Sequence, residues 1–415
     1  MSILFQFLLP FVAMLVVLIV VHELGHYVTA KLAGVKVLEF GLGYPPKVWG
    51  VKRGETEYTI NAVPLGGFVR LLGEEDPSDP RSLAAKPRWV RIVVLGSGAV
   101  MNVILAMFLF SLAIMIPRDV DISRARIVEV VPNSPAEEAG LQPNDVIFAI
   151  DGNNVDNISE LSYRIRLNLG DTMTMTVRRA DAQGAEFVDL EVFARWSAGT
   201  YVDGQGVERA QGPTGVTISP AYGSVQPLSL EDQEEIRLAI LEEYGLGPDD
   251  ALPPGETVPT TTLAPFSETQ WEPPWEAIPD GTIRSFEALV LSRNEIESRI
   301  RGGFSGSSGG PAVTGPVGIA QATGEIVQEA GWKSLMEFAA LISMSLAILN
   351  ILPLPMLDGG RVVFVLIEYV RGGRRIAPER EAMVHFVGLV VMLSLAVVIT
   401  FFDVARIFQG EGILR

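Results

Sequence analysis

Apolar positions along the chain gather into four long blocks, separated by segments with a different rhythm. The blocks run roughly from Ile3 to Thr29, Ile92 to Ile116, Leu335 to Leu352 and Ala382 to Phe402. Each is close to the ~20 apolar residues that a helix needs to cross a bilayer. After the first block the period shortens. Val35–Leu38, Lys47–Trp49 and Glu57–Ile60 read as short strands, punctuated by Gly41, Gly43, Pro45, Pro46 and Gly54 and closed by Gly66-Gly67-Phe68-Val69. Beyond the second block, strands are predicted at 127–131, 145–150, 173–178 and 187–193, with helices at 134–141 and 158–168. From Ser197 to Asp280 the sequence turns acidic and rich in Gly, Pro and Thr, which predicts a mostly irregular linker with one helix near Leu230–Tyr244. Gly281–Arg301 has the spacing of an amphipathic helix at a membrane surface, and Gly302–Gly310 reads as flexible.

The pattern predicts a multi-span α-helical membrane protein with a small membrane-associated β-sheet and an inserted α+β domain. Its parts are a first span at 1–34, a β element at 35–75, a second span at 88–117 and a folded domain at 122–222. A linker at 223–280 follows, then an amphipathic helix and return segment at 281–334, a third span with its following helix at 335–371, and a fourth span at 382–405. The first span has no basic residue before Lys31 and no small-residue cleavage site, so it reads as a retained anchor rather than a signal peptide.

Composition agrees with this class. The 415 residues are 48% hydrophobic, and the net charge of -17 argues against a nucleic-acid partner. Cysteine is absent, which excludes disulfides, Cys-ligated zinc and a Cys nucleophile. Charge is unevenly spread. Lys31–Arg91 holds ten basic and seven acidic residues, Arg361–Arg380 holds five basic ones, and Arg118–Lys333 holds fifteen basic against thirty-four acidic. The preference of basic loops for the cytoplasm puts the first two inside and the acidic middle outside.

The chemistry lies in Val20-Val21-His22-Glu23-Leu24-Gly25-His26. Two His at i, i+4 stack on one helix face, where they can grip one Zn²⁺ while Glu23 serves as general base. Ionisable groups in a membrane span are costly and functional by default. Catalytic zinc takes three protein ligands and keeps one position open. Pro353 and Pro355 stop the third span, and Asp358 sits on the turn that follows, at the same predicted depth as the His pair. Asp358 supplies the missing carboxylate, or else caps the next helix, Arg361–Val370. His385, the third His of the chain, reads as a polar residue near the interface rather than a ligand. The β element can offer an edge strand to an extended substrate, with Gly67 and Phe68 facing it, or can simply connect two spans. Gly96, Gly98 and Asn102 of the second span suit close helix contact and a hydrogen bond across helices.

Residues 122–222, with Ser134-Pro135-Ala136, Ala139-Gly140-Leu141 and Asn144-Asp145-Val146-Ile147, resemble a PDZ domain. The chain as a whole resembles the site-2 protease family of intramembrane zinc metalloproteases, in the bacterial form typified by the regulator of sigma-E protease. The resemblance rests on His22-Glu23-Leu24-Gly25-His26, on Pro64–Val69, on the PDZ-like insertion, on Gly315-Pro316-Val317-Gly318 and on Asn350–Gly360. It implies zinc held by His22, His26 and Asp358, Glu23 as base, and Asn350 holding substrate near the metal. It also implies a multi-pass protein of the bacterial inner membrane, with its PDZ-like domain extracytoplasmic and its active site near the cytoplasmic side. The implied substrates are single-span membrane proteins such as anti-sigma factors, or signal-peptide remnants, cut first by an upstream site-1-type protease. Gly98-Ala99 replaces the family's Gly-Pro, Ser345 stands where many members carry Asn, and Arg361 replaces a His that often follows the Gly pair. A competing reading is a membrane receptor or scaffold with a closed structural zinc site and a peptide-binding PDZ domain.

Overall fold

The computed structural model describes residues 8–408 except 75, 182–183, 198–199, 203–207, 223, 228–229, 244–245, 249, 254–256, 265, 303–314 and 330. The flexible segment expected at Gly302–Gly310 therefore lies almost wholly outside the described residues. The chain divides into two units. One comprises Met1–Ile116, Glu272–Leu289 and Pro311–Arg415, and the other Pro117–Trp271 and Val290–Gly310.

The first unit opens with helix α1 (Leu9–Leu32), started by Pro10 in its first turn and stopped by Gly34 at φ +67°. Strands β1 (Val37–Arg53) and β2 (Thr56–Leu71) follow as one antiparallel hairpin. The three short strands expected there are parts of this longer ladder. Its glycines and prolines mark repeated register shifts between residues 37 and 49 instead of ending strands. The hairpin is fastened to α1 by a Tyr27–Tyr58 hydroxyl pair at 2.7 Å and by Lys31 with Glu55 at 3.2 Å. Helix α2 (Arg88–Met115) completes a core of Ala30, Val35, Val37, Leu71, Val94 and Leu95.

The second unit begins with β3 (Arg118–Asp121), β4 (Ala125–Val130), α3 (Pro135–Glu138), β5 (Val146–Ile150), β6 (Asn153–Asn154) and α4 (Ile158–Leu167). Strands β7 (Thr172–Asp181), β8 (Gly184–Phe193), β9 (Thr200–Val202), β10 (Glu208–Ala210), β11 (Val216–Pro220) and β12 (Ser224–Pro227) come next. Alternating apolar residues in β4, β5 and β7 put Ile127, Ile147, Ile150, Met173, Met175 and Val177 into one core, closed by Leu161 of α4. The antiparallel sheet runs β11-β4-β5-β7-β8, with β6 paired to β5. Asp145, 1% exposed, is gripped from two sides by Arg179, at 2.9 and 2.6 Å. The segment that reads as irregular linker, Ser197–Asp280, carries helix α5 (Leu230–Glu243) as expected, but also β9 to β12 and two further strands, β13 (Thr261–Ala264) and β14 (Ser267–Gln270). The last two pair with β12 and with β3, strands far away in sequence, so local patterning could not reveal them.

Helix α6 (Pro274–Gly302) starts seven residues earlier than expected. In the first unit its Gly281 lies against Ser111 and its Ala288 joins Ala106, Phe110, Ala340 and Met344 in a core. Helix α7 (Pro316–Glu329) occupies what was read as a return segment. Then come α8 (Gly331–Ile351), α9 (Asp358–Val370) and α10 (Pro378–Phe408). Among the described residues, four helices are long and apolar enough to cross a membrane: Leu9–Leu32, Arg88–Met115, Gly331–Ile351 and Glu379–Ala405.

Candidate metal centre

The three acid–base residues of the His-Glu motif lie on the C-terminal half of α1. Their i, i+4 spacing puts the imidazoles of His22 and His26 4.9 Å apart, edge to face at 77°. His26 is 8% exposed, and its Nδ1 lies 2.8 Å from the Val94 carbonyl oxygen. A carbonyl can only accept, so Nδ1 carries the proton and Nε2 keeps a free lone pair. That Nε2 lies 3.2 Å from His22 Nε2 and 3.1 Å from Asp358 Oδ2, and His22 Nε2 lies 3.2 Å from the same oxygen. Three ligand atoms on a tetrahedron of ~2.0–2.1 Å bonds stand about 3.3–3.4 Å apart, so the triangle fits Zn²⁺ coordination. It is the metal-capable cluster found among the described residues.

Asp358 reaches the triangle because the end of α8 is broken by Pro353 and Pro355 and the chain turns at once into α9. The N-cap of α9 is Leu357, with no side-chain cap, so the Asp358 carboxylate is not occupied in capping. The two glycines after it are steric requirements. A Cβ at Gly359 would run into the carbonyls of Ile351 and Leu352, and one at Gly360 into the Leu354 carbonyl. Gly98 plays the same part on α2, since its Cβ would strike the imidazoles of both His26 and His22. Helix α2 can lie beside the two rings only as bare backbone there.

Asn102 has a larger role than helix packing. It is 1% exposed, and its Nδ2 lies 3.3 Å from His22 Nδ1 while its Oδ1 has no hydrogen-bond partner among the described residues. The amide's two ends are interchangeable by a flip. With the oxygen toward the ring, Asn102 accepts from His22 Nδ1–H and frees Nε2 for a metal, as Val94 does for His26. Sequence reasoning missed this, because an Asn in a span carries the same signal whether it binds a neighbouring helix or orients a ligand.

Glu23 sits under β2. A Cβ at Gly67 would be 3.3 Å from Glu23 Cγ and 2.8 Å from Ile19 Cγ2. Phe68 stacks on Tyr44 with ring centroids 6.5 Å apart. Asn350 lies in the last turn of α8, half-buried. Ser345 Oγ turns back on its own helix and donates to the Leu341 carbonyl at 2.9 Å. Arg361 pairs with Glu74 at 2.5 Å.

A His-Glu-x-x-His helix and a distant aspartate, brought together among apolar membrane-length helices, define a membrane-embedded peptidase. The chain belongs to peptidase family M50, whose sequence model matches residues 10–395. Among its relatives are provisionally named zinc metalloproteases of Clostridium perfringens, 32% identical over 93% of this chain and 95% of that protein, and of Nostoc, 32% identical over 93% and 92%. The zinc metalloprotease RasP of Oceanobacillus iheyensis is 26% identical over 96% of this chain and 98% of its own.

Proposed function

We propose that this M50 peptidase is an intramembrane zinc endopeptidase in which His22, His26 and Asp358 hold the metal and Glu23 is the catalytic base. The observation that carries the reading is the triangle of Nε2, Nε2 and Oδ2 atoms at 3.1–3.2 Å. Zinc bound there would polarise the scissile carbonyl and bring the pKa of a water toward ~7. Glu23 takes a proton from the attacking water as its oxygen adds to the carbonyl carbon, and passes that proton to the amide nitrogen as the C–N bond breaks. Asn102 and the Val94 carbonyl hold the two imidazoles in the ligating tautomer. Gly67 and Phe68, on the strand against Glu23, and Asn350, at the end of α8, are the substrate-facing positions.

The substrate class is a membrane-spanning segment, of a single-span protein such as an anti-sigma factor or of a signal-peptide remnant, in regulated intramembrane proteolysis after an upstream site-1-type cut. Residues 122–222 form a PDZ-like domain outside a bacterial inner membrane, with the metal centre near the cytoplasmic side. The charge asymmetry of the loops supports that orientation. Metal analysis and cleavage of a membrane-embedded model substrate test the reading. Wild type should carry one zinc per chain, Glu23→Gln should keep the zinc and lose cleavage by ~10²–10⁴-fold, and Asp358→Ala should lose both. An Asp358→Ala protein with full zinc and activity would remove Asp358 from the centre.

A further inference from the structure

The fourth membrane-length helix, α10, is nearly bare: 6% of its apolar window is buried, against 22%, 44% and 33% for the other three. Two of its side chains nevertheless hold backbone amides of other elements. Near its far end, buried Asp403 accepts from the Gly315 and Gly318 amides, both at 3.0 Å, at the start of α7. Near its beginning, His385 Nδ1 accepts from the Met356 amide at 2.9 Å. One turn on, Gly388 rests on Pro355, whose carbonyl carbon and oxygen would be 3.0 Å from an added Cβ. The Phe364 ring, 5.4 Å from the imidazole, backs it from α9.

Met356 is an unusual place for an anchor. It lies two residues before Asp358, between the end of α8 and the start of α9, at φ +84°, a conformation that side chains other than Gly rarely adopt. The turn holds itself by Leu354 N–H to the Leu352 carbonyl and Leu357 N–H to the Leu354 carbonyl. Met356 N–H instead points outward, and at membrane depth an amide without an acceptor is strongly unfavourable. His385 supplies that acceptor, so it selects the turn geometry from which Asp358 departs.

We propose that His385 is a positioning residue for the metal centre: by accepting the Met356 amide it fixes the turn that aims Asp358 at His22 and His26. The proposal rests on the reading that Asp358 ligates zinc. It makes α10 a support of the site and not only a lipid-facing span, and ligand-supporting partners of this kind are worth ~10–100-fold in metal affinity.

The test is zinc affinity of the full chain, measured by chelator competition, together with kcat and KM on a membrane-embedded substrate. His385→Phe keeps a ring beside Phe364 but has no acceptor. It should weaken zinc binding by ~10-fold or more and lower kcat with little change in KM. His385→Gln, whose amide oxygen can accept, should recover most of the loss. Gly388→Ala leaves His385 intact but pushes α10 from Pro355, and should weaken zinc binding as well. Asp403→Asn loosens the opposite end and should leave zinc affinity at the wild-type value. Wild-type affinity in His385→Phe, or in Gly388→Ala should the former not be purified folded, overturns the proposal. An equal loss in Asp403→Asn also overturns it, because any loosening of α10 would then suffice. A wild-type chain without zinc, or Asp358→Ala with full zinc, instead refutes the metal centre itself.

Discussion

Gly98→Ala adds one methyl group at the most crowded point of the site. That methyl would meet His26 Nε2 within contact distance, His22 Cε1 at 2.5 Å and His22 Nε2 at 2.7 Å. These are the same nitrogens that converge on Asp358, so the rings cannot yield without leaving the triangle. Moving the helices apart would instead open the tight α1–α2 contact at Gly25, where a Cβ would stand 2.5 Å from the Ser97 carbonyl oxygen. Overpacking of this kind costs about 1–3 kcal/mol. If that cost falls on ligand geometry, zinc affinity drops about 5- to 150-fold. Gly96→Ala is the control: nothing lies within 4 Å of its Cβ, and the change should leave zinc binding unaltered while favouring the helix by up to ~1 kcal/mol. Chelator competition on the two purified variants reads the difference directly. Wild-type affinity in Gly98→Ala, or an equal loss in Gly96→Ala, would refute the argument that bare backbone at 98 is what admits the His pair.

Two further predictions concern the parts around the site. Glu368 of α9 is 6% exposed and bonded to Arg91 at 2.6 Å and Arg88 at 3.3 Å. Burial pushes its carboxyl up, but the guanidiniums of Arg91, Arg88 and Arg375 outweigh burial and hold it below the ordinary Glu range. The stability it contributes is therefore present above the ordinary pKa of ~4.3 and is lost as pH falls through the lower folded value. Thermal unfolding of wild type and Glu368→Gln should differ most near neutral pH and converge in acid; a gap that persists unchanged at pH 3 contradicts this. For orientation, single Cys residues introduced at Ser78 and Ser197 should differ in intact cells, with a membrane-impermeant reagent labelling only the second; the reverse pattern inverts the proposed topology.

The apolar spans and the His-Glu-Asp set were legible in sequence because each rests on a one-dimensional signal. A span needs a long apolar run, the His pair needs only i, i+4, and a three-ligand metal sends the reader looking for a carboxylate at matching depth. Asp358 follows from that search because Pro353 and Pro355 end α8 just before it. Contacts between distant segments leave no such trace. Gly98, Asn102 and His385 look like ordinary span residues until α2 and α10 are laid against α1 and the α8–α9 turn. The hairpin was misread for a different reason. Gly41, Gly43, Pro45 and Pro46 are usually strand breakers, but a ladder with register shifts absorbs them and continues to Arg53. The strands β12 to β14 were missed because their pairing is long-range and their runs are only four residues each.

The arrangement around the ligand triangle also says why a cation belongs there. Two imidazole nitrogens and a carboxylate oxygen at 3.1–3.2 Å are all acceptors when His is neutral, and at so largely buried a site their repulsion is weakly screened. Each is held from behind: His26 by Val94, His22 by Asn102, and Asp358 by the turn whose Met356 amide is bonded to His385. Hydrophobic packing alone would let such groups swing apart at little cost. Supports that hold them together make sense when the energy is returned by a shared charge at the centre. In the proposed centre a zinc ion would supply that charge without protonating either His, with Glu23 as the neighbouring residue that would act as base.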